Sequence, residues 1–197
     1  MSEKRDIEFL FEIGQLRLIK RMWQRFFQSD TANLSDHIFR VAWIALLIAK
    51  KEGKANEEKI LKMALVHDIG ESRTGDVDYI SRQYTQRDEF LATSDMLKDT
   101  ALEEEMSVIW KEYEEKKSSE AKIVRDADML DVDLELREQS IQTATSNWLE
   151  NRKKMVRAKL FTKTARKYLE AIYKSNAHDW HLKGRNRFNA GDWKEKF

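Results

Sequence analysis

The stretch that decides the fold is Ala64-Leu65-Val66-His67-Asp68-Ile69-Gly70-Glu71. An apolar stripe at helical spacing leads up to it through Ile60, Met63 and Ala64. His67 falls on the same stripe, seven residues after Ile60, so its imidazole is expected to face inward. Asp68 follows about 100° further round the helix. An imidazole and a carboxylate, both common metal ligands, therefore lie side by side at the end of an apolar helix.

The residues that follow enlarge this polar group. Gly70 is expected to end the helix in the left-handed conformation that glycine tolerates. Glu71 lies four residues after His67 and three after Asp68, within reach of both if the last turn persists. The next residues, 71–76, have turn chemistry and place Asp76 beside the same group. The sequence predicts a dense cluster of acids around one histidine.

Upstream, His37 adds a second inward imidazole. Asn33 or Ser35 is expected to cap its helix, with Asp36 in the first turn, where a negative charge suits the helix dipole. The apolar residues that share its stripe are Val41, Ile44 and Ile48. A lone inward histidine is usually a hydrogen-bonded core residue, but two of them, one followed by Asp, favour a metal site.

The N-terminal residues Ile7 to Trp23 have a helical pattern that places Arg17 and Arg21 four apart on one side. Two interpretations stay open for these arginines: a solvated edge whose stems pack on the core, or a clamp for phosphate oxygens. Trp23 likewise fits either a core position or a stacking surface for a nucleobase.

Downstream, a helical pattern runs from Thr85 to Tyr113, and Ser118 or Ser119 is expected to cap the next helix. On that helix Asp128 takes a place where an apolar residue is expected, so it needs a partner. A salt bridge to Arg125 is one explanation and a metal is the other. Off the stripe, and therefore expected to be exposed, are Asp126, Asp131 and Asp133.

Beyond Trp148 the pattern is helical again and indicates core packing. The residues that show it are Ala165, Tyr168, Leu169 and Ile172. A second His-Asp pair, His178-Asp179, lacks the preceding apolar helix and the following Glu. We interpret this pair and the cationic residues after it as structural or interfacial, with phosphate binding as the lesser alternative. Those neighbours are His181, Lys183, Arg185 and Arg187, between Trp180 and Trp193.

Composition favours an all-α fold. The chain has 197 residues, 36% of them charged, with no proline and only six glycines. Folds rich in sheet and tight turns usually need more of both. This length suits one domain with a sizeable core, and no internal repeat or linker divides it, so residues 1–197 are expected to form a single domain.

The charge balance argues against a nucleic-acid or membrane partner. Lys and Arg number 36 against 35 Asp and Glu, a formal net charge of +1. The longest apolar run, Val41 to Ala49, is less than half of the ~20 residues that span a bilayer. The first 14 residues lack a secretory apolar region, and there is no cysteine. We expect a cytoplasmic protein.

Taken together, the pattern resembles that of the HD-domain metal-dependent phosphohydrolase superfamily, and within it the 5′-deoxynucleotidase branch. The segments that carry the resemblance are Ser35-Asp36-His37, His67-Asp68-Ile69-Gly70-Glu71-Ser72-Arg73-Thr74-Gly75-Asp76 and Arg125-Asp126-Ala127-Asp128. They lie within residues 16–133, and 134–197 are expected to be the helical C-terminal part of the same domain. The resemblance implies a bundle of about six or seven helices.

The resemblance also implies roles for individual residues. It implies four ligands for one divalent metal, namely His37, His67, Asp68 and Asp128. Glu71 and Asp76 match the family's catalytic acids, and Arg21 matches its phosphate-contacting arginine. Trp23 would contact the sugar, but the family often has tryptophan directly after that arginine, whereas Met22 intervenes here.

The chemistry of these residue types is consistent with that set. Two imidazoles and two carboxylates suit a divalent ion such as Mn, Co, Fe, Ni or Mg, with positions left for water and a phosphate oxygen. Such an ion neutralises phosphate charge and lowers the pKa of a bound water toward neutrality. Glu71 and Asp76 can then transfer protons, in an order that the sequence leaves open. Only His178 and His181 remain as further histidines, so one metal is favoured over two.

The predicted function is hydrolysis of deoxyribonucleoside 5′-monophosphates to deoxynucleoside and phosphate. A first alternative is another HD-type reaction, on a nucleoside triphosphate or guanosine tetraphosphate, which calls for more basic residues around the pocket. A second is a helical binding protein whose His/Asp cluster is a structural metal site. The resemblance also implies a homodimer.

Overall fold

The computed structural model describes residues 3–27, 30–53, 55–139 and 146–183. Within these ranges the protein is all-α and has no strand, which confirms the predicted fold class. The helices of nine or more residues are α1 (Glu3–Ile13), α2 (Leu34–Glu52), α3 (Glu57–Val66), α4 (Glu89–Leu97), α5 (Glu103–Glu115), α6 (Ser119–Glu138), α7 (Ser146–Lys159) and α8 (Lys163–Lys174). These eight exceed the six or seven expected. Single turns form at Gly14–Leu18, Gln24–Phe27, Glu71–Thr74, Ser81–Gln83 and Asp179–Leu182.

The helix starts that matter for the site are set by local capping. The side chain of Asn33 caps α2 and that of Asn56 caps α3, each by accepting a backbone N–H three residues ahead. Ser118 caps α6 in the same way. The sequence predictions for the starts of α2 and α6 are confirmed, because a cap depends on side-chain chemistry within four residues.

The N-terminal helix is shorter than predicted, and the expectation of one helix over residues 7–23 is wrong. After Leu18 the chain becomes extended and pairs with the segment before α2: Arg21 N–H donates to the carbonyl of Ala32, and Leu34 N–H donates to that of Ile19. Arg17 is consequently exposed while Arg21 is buried. The two arginines do not share a side.

Gly70 does not end α3 in the left-handed conformation. Its φ of −59° and ψ of −24° are helical, so that expectation is wrong. The glycine instead permits close packing, because a Cβ there would lie 2.6 Å from Thr93 Oγ1 and 3.2 Å from the carbonyl of Glu89 on α4. The positive φ belongs to Gly75, at 75°, where the chain turns into the loop that carries Asp76.

The helical pattern over residues 85–113 corresponds to two helices and not to one. It forms α4 and α5, separated by a break in which Asp99 has a φ of 61°. Glu103 stabilises the break, because its side chain accepts the backbone N–H of Asp99. One long periodic stretch is therefore two helices that pack together.

The centre of the molecule is α6, which packs against α2, α3, α5 and α8. Because helices cover it on several sides, positions off its apolar stripe are also buried. The expected exposure of Asp126, Asp131 and Asp133 is therefore wrong, since each is at most 1% exposed. Asp126 accepts the backbone N–H groups of residues 161 and 162, both at 2.8 Å. These hydrogen bonds hold the segment just before α8 against α6.

At the C-terminal end, Ala165 and Leu169 of α8 are buried in the core, as predicted. His178 and His181 are not buried and interact with each other, with 3.1 Å between Nδ1 and Nε2. Arg185, Arg187 and Trp193 lie outside the described residues, so the single-domain expectation for 1–197 stays a prediction. No helix in the described ranges is long and apolar enough to cross a bilayer.

Candidate active site

Four side chains from three parts of the chain meet at one point. They are His37 on α2, His67 and Asp68 just after α3, and Asp128 on α6. One ligand atom from each lies within 4.8 Å of all the others. The structure therefore brings together the whole set that the sequence singled out as metal ligands.

The orientation of His37 is set by a carboxylate that the sequence reasoning placed at the surface. Nδ1 of His37 lies 2.6 Å from Oδ2 of Asp131, whose other oxygen accepts the Nε–H of Arg40. Nε2 of His37 is buried without a hydrogen-bond partner, 3.3 Å from Asp128 Oδ1 and 3.5 Å from Asp68 Oδ2. A carboxylate behind a histidine, with the second nitrogen facing other ligands, is the arrangement that orients metal-binding histidines.

His67 is oriented by the backbone. Its Nδ1 lies 2.8 Å from the carbonyl oxygen of Ala64, to which it donates, and its Nε2 is buried without a hydrogen-bond partner. The rings of His67 and His37 are 5.5 Å apart. Two unpartnered Nε2 atoms facing two carboxylates fit a divalent metal ion, because a buried polar atom otherwise costs free energy.

The electrostatics of the cluster favour a positive charge at its centre. Burial and the Arg21 charge oppose a charged His37, but Asp128, Asp131 and Asp68 outweigh them and hold the pKa of His37 well above its usual value. In turn, despite burial, the neighbouring imidazoles hold the pKa of Asp68 and of Asp128 below the usual range. A proton or a divalent cation can supply that charge, and a metal requires His37 in its neutral form.

Glu71 lies beside the cluster as a buried acid. Its Oε1 is 3.4 Å from Arg87 Nη1, while Oε2 has no hydrogen-bond partner. Burial, reinforced by the negative charges of Asp68 and Asp76, raises the pKa of Glu71 to about 9. A cation among the ligands would oppose this rise by favouring the ionised form. Glu71 is thus placed to hold or release a proton near neutral pH.

Arg21 and Asp76 form a pair at the same site. Nη1 of Arg21 lies 3.1 Å from Asp76 Oδ2 and 3.7 Å from Asp68 Oδ2, and the arginine is 7% exposed. The same Asp76 oxygen accepts the backbone N–H of Met22 at 3.1 Å. Asp76 therefore holds both the backbone and the side chain of this segment in place.

Trp23 lies mainly in the core. It is 9% exposed and packs with Val132 and Leu136 of α6. The guanidinium of Arg152 lies 5.1 Å from its ring. Trp23 also lines a large cleft beside the His/Asp cluster, so its position is compatible with both interpretations drawn from the sequence.

A cleft of about 1020 Å³ opens beside the cluster. Its lining includes Arg21, Asp68, Glu71, Asp76, Asp128, Trp23, Tyr79, Arg82, Tyr113, Trp148 and Arg152. The salt bridge proposed between Arg125 and Asp128 is absent, because Arg125 instead donates to Glu114 at 2.7 Å and lies 4.0 Å above the Tyr113 ring. Asp128 thus faces the imidazoles and the cleft.

Sequence reasoning missed three residues that complete the site. Asp131 was missed because its place off the stripe indicated exposure. Arg82 and Arg87 lie in and after the loop that carries Asp76, where no periodic pattern points inward. The sequence offered one signal for these two arginines: both follow Glu71 closely in the chain, and Glu71 had already been singled out.

The protein is helical, and its site combines two buried histidines with two aspartates. This set is suited to a metal ion and lies beside an open cleft. The chain belongs to the HD domain family, whose sequence profile matches residues 13–173. The resemblance to the HD-domain metal-dependent phosphohydrolases is thereby confirmed.

Relatives agree with this membership. A Dictyostelium discoideum protein named 5′-deoxynucleotidase HDDC2 is 33% identical over 183 residues, which cover 87% of this chain and 94% of that protein. The human protein of the same name is 31% identical over 138 residues, 67% of each chain. A solved structure of a conserved hypothetical protein from Pyrococcus furiosus has a TM-score of 0.70 and 27% identity, covering 86% of this chain and 99% of the other.

Proposed function

We propose that the protein is a metal-dependent 5′-deoxynucleotidase that converts deoxyribonucleoside 5′-monophosphates to deoxynucleoside and phosphate. The observation that carries the proposal is the His37, His67, Asp68 and Asp128 set, with ligand atoms within 4.8 Å of one another beside an open cleft. The names of the relatives at 31–33% identity support the same reaction.

The four ligands would hold one divalent ion, such as Mn, Co, Fe, Ni or Mg. His37 and His67 would contribute Nε2, the atoms that have no hydrogen-bond partner, and Asp68 and Asp128 would contribute carboxylate oxygens. When bound, such an ion supplies Lewis acidity toward phosphate and an activated water. Buried imidazoles already oriented by Asp131 and the Ala64 carbonyl need little rearrangement to bind it.

Arg21 would bind the phosphate. Its guanidinium is buried at the cluster and fixed by Asp76, and its Nε has no hydrogen-bond partner. A guanidinium in this state can bind phosphate oxygens without first being ordered, which lowers the entropic cost of binding. Trp23, on the same segment and lining the cleft, would contact the sugar.

Glu71 and Asp76 would transfer the protons of the reaction. The unpartnered Oε2 of Glu71 can accept a proton from the attacking water or relay it. Asp76, on the loop beside Arg21, is the second acid and would protonate the leaving 5′-oxygen. The raised pKa of Glu71, about 9, is the kind of shift found in groups used for acid–base catalysis.

The open cleft disfavours the structural-metal alternative. A structural site is closed by its own ligands, whereas Asp68 and Asp128 here line a cleft of about 1020 Å³. A catalytic site keeps a position for substrate. The cleft thus supports an enzyme over a scaffold with a structural ion.

The test is phosphate release. Metal-stripped protein is incubated with dAMP, dCMP, TMP, AMP and dATP, with and without Mn or Co, and free phosphate is followed. We expect metal-stimulated release from the deoxynucleoside monophosphates. Release from dATP alone would replace the proposal with the triphosphate alternative. No release from any substrate, with metal binding shown by calorimetry, would leave the structural-metal alternative.

We also propose a homodimer that uses the outer face of α2. Phe39, Trp43 and Leu47 lie four residues apart on that face and are 66%, 57% and 54% exposed. Leu47 also lines a mainly apolar cleft of about 390 Å³ between α2, α6 and α8. An apolar stripe of this size is usually covered. Analytical ultracentrifugation tests the dimer. We expect the wild type to sediment as a dimer and Trp43→Glu as a monomer, and a monomeric wild type would contradict the proposal.

The remaining expectations are that the enzyme works in the cytoplasm and without nucleic acid. The near-zero formal charge, +1, gives no general attraction for nucleic acid. The lack of cysteine suits a reducing compartment.

A further inference from the structure

Arg82 is held in a fixed position by the loop that carries Asp76. Its Nε–H donates to the carbonyl of Val77 at 2.7 Å, and its backbone N–H donates to that of Asp78 at 2.9 Å. The carboxylate of Asp78 in turn accepts the backbone N–H groups of Ile80 and Ser81 at 2.9 and 3.0 Å. The guanidinium direction is therefore set before any ligand arrives.

The outer nitrogens of Arg82 remain open. Nη2 lies 4.0 Å from Glu71 Oε1 and 4.0 Å from Asp76 Oδ1, which is beyond hydrogen-bond distance. The side chain is 48% exposed and lines the cleft. Its terminal N–H groups lie near the two acids but form no hydrogen bond with them.

The other arginines next to these acids are used within the protein. Arg21 is 7% exposed and lies 3.1 Å from Oδ2 of Asp76. Arg87 donates to the Gly75 carbonyl at 2.9 Å, approaches Glu71 at 3.4 Å and pairs with Glu89. Among these three, Arg82 is the most exposed, and its Nη2 lies beyond hydrogen-bond distance of both acids.

A phosphate that enters the cleft needs positive charge around it. Four carboxyl groups line this part of the cleft, from Asp68, Glu71, Asp76 and Asp128, and Arg21 is buried against two of them. Arg21 approaches one oxygen of Asp76 and Arg82 approaches the other, so an anion next to Asp76 meets both guanidinium groups.

We propose that Arg82 is a substrate-binding residue that holds the phosphate of the nucleotide from the solvent side, while Arg21 holds it from the buried side. The planar guanidinium fork matches two phosphate oxygens, and an open, partly exposed position lets phosphate leave after hydrolysis. The assignment of a nucleotide rests on the proposed function, but the phosphate contact does not.

The test compares Arg82→Gln and Arg82→Lys with a matched control, Arg157→Gln. Arg157 is also half exposed, at 53%, and pairs with Glu170 away from the cleft. We expect Arg82→Gln to raise KM for dAMP by ~10-fold to ~100-fold, the range for a charged hydrogen bond, with a smaller change in kcat. Inorganic phosphate, titrated calorimetrically into metal-loaded protein, should bind more weakly by a similar factor. Arg82→Lys should recover part of the loss, since it keeps the charge without the fork.

The outcomes separate the two proposals. If the wild type hydrolyses dAMP and Arg82→Gln keeps its KM and its phosphate affinity, the Arg82 assignment is wrong and the proposed function stands. If the wild type hydrolyses no nucleotide but Arg82→Gln weakens phosphate binding, the function is wrong and the assignment stands. A loss of the same size in Arg157→Gln would overturn the assignment, because it would show a general charge effect.

Discussion

Asp131 decides which nitrogen of His37 faces the other ligands. Its carboxylate is 2.6 Å from Nδ1 and is itself fixed by Arg40, so Nε2 is left toward Asp68 and Asp128. The position of a ligand atom thus depends on a residue that touches no substrate. The energetic reason is that a histidine with a fixed tautomer and ring orientation loses less entropy on binding a metal.

We expect Asp131→Asn to weaken metal binding by ~10-fold to ~100-fold, the range for residues that support a metal ligand. Calorimetric titration of Mn into metal-stripped protein measures it. Asp36→Asn is the control, because Asp36 is an exposed aspartate on the same helix, next to His37 in sequence. Equal affinities of Asp131→Asn and wild type would show that Arg40 and packing alone orient the imidazole.

Glu71→Gln separates catalysis from metal binding. The substitution keeps the size of the side chain but removes its ability to exchange a proton through Oε2. We expect kcat for dAMP to fall by ~10²-fold to ~10⁴-fold, with metal affinity close to that of the wild type. Steady-state kinetics and metal titration of the same sample measure both. Turnover near the wild-type rate would remove Glu71 from the mechanism.

At the scale of elements, the capping residues of α2, α3 and α6 could be predicted because caps are local. Asn33, Asn56 and Ser118 act within four residues of the helix start. The break after Leu18 could not be predicted, because it depends on pairing with a segment 11 to 15 residues away. The burial of Asp131 could not either, since it requires knowing which helices surround α6.

The contact between α4 and the turn at Gly70 is an element-scale test. A methyl group at Gly70 would meet Thr93 Oγ1 at 2.6 Å, so we expect Gly70→Ala to destabilise the fold by ~1–3 kcal/mol. Urea denaturation measures the change in the free energy of unfolding. Adding Thr93→Ala should recover part of it, because the hydroxyl is removed while the Glu89 carbonyl at 3.2 Å remains. Gly14→Ala is the control, with nothing within 4 Å, and a full effect there would contradict the packing argument.

For the whole molecule, the all-α class could be predicted from composition and helical periodicity, and the four residues that meet at the cluster from the resemblance to the HD-domain family. The sequence did not predict the number of helices or the second guanidinium on the cleft. Those depend on where the chain turns back on itself. Long-range packing, as in the Arg21–Asp76 pair 55 residues apart, is not encoded in any short pattern.

Metal binding should stabilise the entire fold, since the ligands come from α2, from the turn after α3 and from α6. At a metal concentration 100 times Kd, the gain is ~2.7 kcal/mol, which corresponds to roughly 5–10 °C in Tm for a chain of this size. Differential scanning calorimetry with Mn, and then with excess chelator, measures it. Asp128→Asn should lose most of the shift, and an unchanged Tm in the wild type would mean that the site binds no ion under these conditions.

The enclosure of α6 by four helices bears on how a bound ion would be exchanged. Asp128 lies near the middle of that helix, so fraying at either end does not release its carboxylate. Backbone amides around it should be among the last in the chain to exchange with deuterium. Since the Asp128 carboxylate also lines the open cleft, a bound ion would leave through the cleft while α6 stays folded, and its residence time would be set by its ligands rather than by unfolding of the domain.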